Sequence, residues 1–473
     1  MAIEIEANEW TKVIAPTRKE EGNSDIFLQP GLSLRGIRAR QFAHHEKGVA
    51  RLNNGSFGSC PALVQAAQAE WKAQHLKQPD AFLNYDLEIE TNKCRAAVAE
   101  LIGASSVEEV ALLDNVTTVV AMLAQNLVWD FVEGRFNKGD AVLLLNFAYG
   151  AVKACFEGVI NKAGGRVVYA KIPFPVSSPS QILECFQNSL QQLRDENPGM
   201  AIRLAVVDHI TSMPAVLLPV REMVALARRH GVEQVFVDGA HAFGSVSVNV
   251  REIDADYYSS NLHKWFFTPP TVAFFHCKPQ HLSRLHHPVV SSQYGKGLHA
   301  ECYWTGTRDY SAILTIPSAV EFVKELGGVD LVRTFNHNSV LTVGKMLARE
   351  WKTVVGAPPD MVPSMVMVGV PPELNIQSFE EGLELRTLLR QKFHVEIPLH
   401  YVPDEDQQLA DQVSQCPGIK AYVRVSHQLY NTIEDYHSLR DAINSLARIR
   451  WTPGRFGEEE LDEALHRLRL DAP

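Results

Sequence analysis

From about residue 60 the chain alternates two kinds of apolar pattern. PALVQAAQAEWKAQHL and TTVVAMLAQNLVWDFV carry apolar residues three and four positions apart, which predicts two helices, the second more deeply buried. Short β-branched runs with few polar positions follow at intervals: AVLLL (141–145), RVVYAKI (166–172), RLAVVDHI (203–210) and QVFVD (234–238). Such runs, separated by helices, are what a parallel sheet covered on both faces requires. Between the last two, VREMVALARRHGVEQ predicts a helix capped by Gly231, with Arg228, Arg229 and His230 favouring the negative end of its dipole.

Beyond about residue 320 the pattern becomes helices (TIPSAVEFVKELGG, DLVRTFNHNSVLTVGKMLAREW) mixed with strands (MVMVGV, AYVRVSHQ). The chain therefore reads as α/β: a large domain over 60–322 with a mostly parallel sheet flanked by helices, and a smaller α+β domain over 323–473. Residues 1–24 read as a flexible extension, and 25–59 as a segment packed on the small domain and the active site. GEEELDEALHRLRLDAP reads as a charged surface helix.

Composition narrows the function. A formal charge of −10 argues against a nucleic-acid partner, because phosphate binding draws on clustered Lys and Arg. Seven cysteines without a CxxC pair suggest neither a disulfide framework nor a zinc knuckle, and fit a reducing compartment. The N-terminus is acidic and lacks the apolar core of a signal peptide. No apolar run approaches the ~20 residues that cross a bilayer, so no membrane partner is expected and the cytoplasm is the expected location.

Polar residues fall where a parallel sheet binds ligands, just past the carboxyl ends of strands. QVFVD ends at Asp238 and is followed by Gly239, Ala240 and His241; RLAVVDHI carries Asp208 and His209. The helix opening near Thr117 and Thr118 offers free backbone N–H groups to an anion. Taken singly these are an N-cap and strand-end turns, and Lys264 in SSNLHKWFFTPP is a lysine lying along aromatic surface. Taken together they supply what pyridoxal phosphate needs: a lysine for covalent attachment, a carboxylate for the pyridine nitrogen and an anion site. Asp238 precedes Lys264 by 26 residues, room for one turn and another strand.

The runs VFVDGAHAFG and ADYYSSNLHKWFFTPPTVAFF resemble the core signature of class V (cysteine desulfurase-like) pyridoxal-phosphate enzymes of fold type I. Similarity extends through RLNNGSFGSCP, LLDNVTTVVAM, GDAVLLLNFAYGAVK, VDHITSMPAVLLPV, YWTGTRDYSA and YVRVSHQLYNTIEDYHSLRDAI. NLHKW with WTGTRD resembles the isopenicillin N epimerase-like branch. Within it, AHHEKGVARLNNGSFGSCP is similar to the plant-type L-cysteine desulfhydrases.

The resemblance implies that Lys264 forms the Schiff base and moves the Cα proton, that Asp238 pairs with the pyridine nitrogen, and that His241 sits near the phenolic oxygen. It implies that Val116, Thr117, Thr118 and His263 bind the phosphate, that Tyr149 stacks on the ring, and that the Asp208 segment lines the cofactor. Thr307 would reach the phosphate of a neighbouring subunit, making a homodimer with shared sites. Arg424, with Asn53, Asn54 and Gly55, would hold the substrate carboxylate. Where relatives have a serine this chain has Asn261, so Ser259 or Ser260 would have to compensate at the phosphate.

The desulfurases' nucleophilic cysteine has no counterpart in VEIPLHYVPDEDQ, and Cys416 lies too close to Arg424 to replace it. Persulfide relay is disfavoured, and a lyase that releases sulfide needs no such thiol. The expected reaction is β-elimination of L-cysteine to sulfide, pyruvate and ammonia. The rivals are an aminotransferase, an epimerase, a C–S lyase for another amino acid, and a non-catalytic protein that binds the cofactor. The histidines of HLSRLHHP lack acidic or cysteine partners at ligand spacing, so no metal is expected. Asp208, His209 and Ser212 evoke a hydrolase triad, but no GxSxG turn accompanies them.

Overall fold

A computed structural model describes residues 33–403 and 418–470. The expected extension over 1–24 and Cys416 lie outside the described residues. Among the described residues twelve strands are formed: β1 (Ala50–Arg51), β2 (Val110–Leu113), β3 (Ala141–Leu145), β4 (Arg166–Ala170), β5 (Ile202–Asp208), β6 (Gln234–Asp238), β7 (Tyr257–Asn261), β8 (Ala273–Cys277), β9 (Met365–Gly369), β10 (Val395–Glu396), β11 (Leu399–Tyr401) and β12 (Ala421–Ser426).

The main sheet has the order β2-β8-β7-β6-β5-β3-β4. All neighbouring pairs are parallel except those made by β8, which runs against both β2 and β7. The four apolar runs of the sequence become β3, β4, β5 and β6. The first and last are buried at every position, as strands covered on both faces must be. At the sheet edge, β4 leaves Arg166 exposed and stops at Ala170, short of the pattern's Ile172.

The sheet's two faces are filled differently. On one, Val120, Leu123 and Phe156, from the helices Val116–Val132 and Gly150–Ile160, pack against Val142, Leu144 and Phe236. On the other, Ala205, Val207, Val235 and Val237 belong to an apolar cluster that continues through β9 and on to Leu385 and Leu439. Each fully buried side chain of this size contributes roughly 1.5–3 kcal/mol. The continuous core holds the C-terminal elements firmly over the strand ends.

Those elements include an antiparallel sheet, β11-β12-β9, while β1 pairs in parallel with β10. The helix Leu34–Gln41, capped by Ser33, sends Arg38 to the carbonyls of Leu429 and Asn431. Residue 322 lies inside the helix Ile316–Glu325, which Gly327 and Gly328 follow, both at φ 100°. The helix Val220–Arg229 is capped by His230, one position earlier than the sequence pattern suggests, and Gly231 follows at φ 76°. Among the described residues no helix is long and apolar enough to cross a membrane.

Candidate active site

The strand ends bring two carboxyl groups together. Asp208 closes β5, Asp238 closes β6, and the two are register partners. Both side chains are buried. Asp238 Oδ1 accepts a hydrogen bond from Ala240 N at 2.9 Å, while Asp208 Oδ2 has no partner among the described residues. Burial pushes both carboxyls above the usual carboxylate range, and the neighbouring Asp238 charge pushes Asp208 further. For Asp238 the Lys264 amine acts in the opposite direction. Gly239 is required by space, since a β-carbon there would collide with the Tyr258 hydroxyl.

Lys264 lies in the short helix Leu262–Trp265, entered directly from β7. Its Nζ is 3.2 Å from His241 Nε2. Burial, aided by Arg424, brings the lysine pKa down to about 8 against the pull of Asp238. His241 is buried, its Nδ1 has no partner among the described residues, and burial together with Lys264 and Arg424 holds its pKa well below normal. The lysine amine is thereby available in neutral form near pH 8, the form that attacks a carbonyl.

The turn Asn54–Phe57 presses against this helix. Asn54 Nδ2 donates to the Lys264 carbonyl at 2.9 Å, and its Oδ1 accepts from the Tyr430 hydroxyl at 3.2 Å. Gly58 closes the turn at φ 70° and ψ −165°, and a β-carbon there would run into the His263 carbonyl. At Gly55 a β-carbon would collide with Met365 Sδ and stand 3.5 Å from the Arg424 guanidinium. Glycine at both positions lets the backbone approach lysine and arginine together.

Arg424, on β12, is 2% exposed. It donates to the Ser212 carbonyl at 2.8 Å, Ser212 Oγ at 3.3 Å, Asn53 Oδ1 at 2.8 Å and Ser56 Oγ at 2.8 Å. All of these acceptors are neutral. No carboxylate among the described residues pairs with the guanidinium, its Nε is unpartnered, and burial lowers its pKa to about 10. A buried, aimed, uncompensated cation is a receptor for an anion. Ser56 and Ser212 were not foreseen at this site; both lie inside quoted motifs, but only the fold brings them to Arg424.

The N-terminus of the helix Val116–Val132, the expected anion site, offers fewer free donors than its sequence suggests. The cap is Asn115, whose side chain accepts from Thr118 N at 2.9 Å and from the Thr118 hydroxyl at 3.2 Å. Asn261 Oδ1 takes Val116 N at 3.1 Å. Of the three residues, Thr117 alone keeps a backbone N–H without a described partner. Neither serine is free to compensate for Asn261: Ser259 donates to the Phe274 carbonyl at 2.7 Å and Ser260 to the Gly239 carbonyl. His263 Nδ1 lies 3.1 Å from the Val272 carbonyl.

Two site candidates present themselves to solvent. Tyr149 is 52% exposed, and it lies near enough to Arg424 to favour the charged guanidinium. Thr307 is exposed and makes no described hydrogen bond to the residues around Lys264; its neighbour Arg308 pairs with Asp114 at 2.5 Å.

The remaining motifs separate. His281 faces Asp256, His286 faces Glu301, and His287 Nδ1 accepts from Val289 N. Among the described residues no cluster of three metal-ligating side chains occurs. His209 pairs with the Tyr258 hydroxyl at 2.8 Å and Ser212 with Arg424, so the three residues form no triad.

Lysine, carboxylates and a buried arginine converging beyond the ends of a mostly parallel sheet define the class: an α/β enzyme of fold type I. The chain belongs to the aminotransferase class-V family, whose model matches residues 59–439. It is 47% identical over 439 residues to a protein of Oryza sativa subsp. japonica named putative L-cysteine desulfhydrase 1, covering 92% of this chain and 90% of the relative. It is also 47% identical over 412 residues to a protein of Arabidopsis thaliana named probable L-cysteine desulfhydrase, chloroplastic, covering 86% of this chain and 85% of the relative. The fold is shared with a C-DES variant solved with glycine covalently linked to its PLP cofactor. That match has a TM-score of 0.64 at 15% identity and covers 86% of this chain and 98% of the other.

Proposed function

We propose that this protein is a pyridoxal-phosphate-dependent lyase that eliminates sulfide from L-cysteine, leaving pyruvate and ammonia. Its single strongest support is Arg424, a buried guanidinium with only neutral partners, close to a lysine whose amine titrates near pH 8. The names of the two relatives at 47% identity point to the same substrate.

The residues present fit the cofactor. Asp208 Oδ2 and His241 Nδ1 are buried polar atoms without partners among the described residues, as groups that meet a polar ligand would be. Lys264 would hold the cofactor covalently, Asp238 would face the ring nitrogen, His241 the phenolic oxygen, Thr117 the phosphate and Tyr149 the ring face. When bound, pyridoxal phosphate supplies an electron sink for the charge that builds on Cα.

The chain's own groups do the rest. Arg424, steadied by Asn53 and Ser56, grips the α-carboxylate and turns the Cα–H bond toward Lys264. The neutral Lys264 amine removes that proton, and His241 at 3.2 Å takes up the new hydrogen bond at Nε2. No protein thiol is needed. Burial holds all six described cysteines above the usual thiol range, so none offers a thiolate for persulfide relay.

We further propose a homodimer in which Thr307 completes the partner's phosphate site, testable by sedimentation and by activity restored on mixing Thr307→Ala with Lys264→Ala. The cytoplasm is our proposed location. The chloroplastic name of the Arabidopsis relative makes organellar import the alternative, which a fluorescent fusion distinguishes.

The function is tested by offering L-cysteine, D-cysteine and L-serine to the holoenzyme. Sulfide from L-cysteine alone supports the reading, and Lys264→Ala should lose it by roughly a thousandfold or more. Full activity in Lys264→Ala would refute it.

A further inference from the structure

The face of the C-terminal sheet that carries Arg424 carries a second polar side chain, His400. β11 and β12 run antiparallel with His400 opposite Tyr422. Alternate residues of a strand share a face and directly opposed residues share it too, so His400, Tyr422 and Arg424 point the same way. The diagonal from His400 to Arg424 spans roughly 7 Å between β-carbons.

This face lies across the carboxyl ends of three adjacent main-sheet strands, β5, β3 and β4. Arg424 reaches Ser212, beyond the end of β5. The His400 ring stands edge-on to Phe147, beyond β3, with centroids 6.2 Å apart, and edge-on to Phe174, beyond β4, at 5.5 Å. Phe147 is two residues from Tyr149. Tyr149 in turn lies near enough to Arg424 to favour its charged form.

The ring is held by packing alone. Neither nitrogen makes a hydrogen bond among the described residues, and the residue is half-buried. Burial holds its pKa down to about 4, so near pH 7 the imidazole is neutral and carries one N–H. That donor is packed against Phe147 and Phe174 and has no partner among the described residues.

We propose that His400 is a catalytic residue of the elimination, its ring N–H donating a hydrogen bond to the substrate sulfur as the Cβ–S bond breaks. This rests on the L-cysteine reading above. The Cα proton passes to Lys264 and the pair left behind becomes the Cα–Cβ double bond. The Cβ–S pair goes onto sulfur, which departs as HS⁻ with its own proton. His400 gives up no proton; a neutral donor aimed where charge develops stabilises the leaving group and leaves the ring ready for the next turnover.

The test compares wild-type, His400→Phe and His400→Gln holoenzymes on L-cysteine and on β-chloro-L-alanine, whose chloride departs readily unaided. Phenylalanine keeps the ring contacts with Phe147 and Phe174 but has no N–H; glutamine restores a donor. His400→Phe should lower kcat for L-cysteine roughly 100-fold and for β-chloro-L-alanine by less than about threefold. KM for L-cysteine, the melting temperature and the visible band of the bound cofactor should stay unchanged, and His400→Gln should recover about tenfold. An unimpaired His400→Phe, or equal losses on both substrates, would overturn the proposal while leaving the L-cysteine reading intact. A wild type that yields pyruvate from β-chloro-L-alanine but no sulfide from L-cysteine would overturn both.

Discussion

The Lys264 amine stands 3.2 Å from Nε2 of a buried His241 whose other ring nitrogen has no partner among the described residues. Burial is the largest influence on each and lowers both pKa values; Lys264 lowers that of His241, Arg424 lowers both, and Asp238 pulls the lysine the other way.

A pH dependence follows. The lysine titrates at about 8 rather than 10.5, and only its neutral amine attacks a carbonyl, so the reactive fraction rises with pH up to about 8 and then levels. Attachment of pyridoxal phosphate to the apoprotein should quicken nearly tenfold per pH unit below that point. Stopped-flow growth of the visible band measures it; a rate still climbing at pH 10 would contradict the lowered pKa.

Arg424→Ala should raise KM for L-cysteine roughly 30- to 100-fold with a smaller effect on kcat, because on the proposed reading the guanidinium holds the carboxylate before and after the chemistry. Arg424→Lys should not rescue it, since one ammonium cannot span Ser212, Asn53 and Ser56. Steady-state kinetics separates the two parameters, and an unchanged KM in Arg424→Ala would remove the arginine from the substrate site.

Gly58→Ala should destabilise the protein by about 2 kcal/mol or more, because φ 70° with ψ −165° is nearly confined to glycine and the added carbon meets the His263 carbonyl. The turn bearing Asn54 would be pushed off the Lys264 helix. Denaturant unfolding of the holoenzyme reads the loss, and a shift below a few tenths of a kcal/mol would mean that the turn yields freely.

Asn261→Ala should cost about 1 kcal/mol of stability and weaken cofactor retention, since Asn261 Oδ1 takes up the Val116 N–H at the start of the helix proposed to meet the phosphate. Dialysis followed by absorbance of the retained cofactor checks the second effect. Retention equal to wild type would confine Asn261 to a structural part.

Much of this arrangement is legible in the chain. The apolar runs of β3 and β6 match the strand bounds because burial on both faces leaves little room for polar residues. Asp238 and Lys264 stand out because a strand-end carboxylate and a lysine set into an aromatic run are each costly without a task. The four-residue β2 and the antiparallel β8 are not legible: the first is too short for a pattern and the second is lost within a longer aromatic stretch. Asn115 as the helix cap, the use of Ser259 and Ser260 inside the sheet, and the meeting of Ser56 and Ser212 at Arg424 all depend on contacts between distant segments. Periodicity along one segment does not encode them.

Elimination from L-cysteine is read by assaying sulfide and pyruvate together after mixing holoenzyme with L-cysteine and no 2-oxo acid. The account predicts equal amounts of both, unchanged when a 2-oxo acid is added. Release that requires the 2-oxo acid, or a coloured protein that yields neither product, would contradict it and move the chemistry to transamination or to another amino acid.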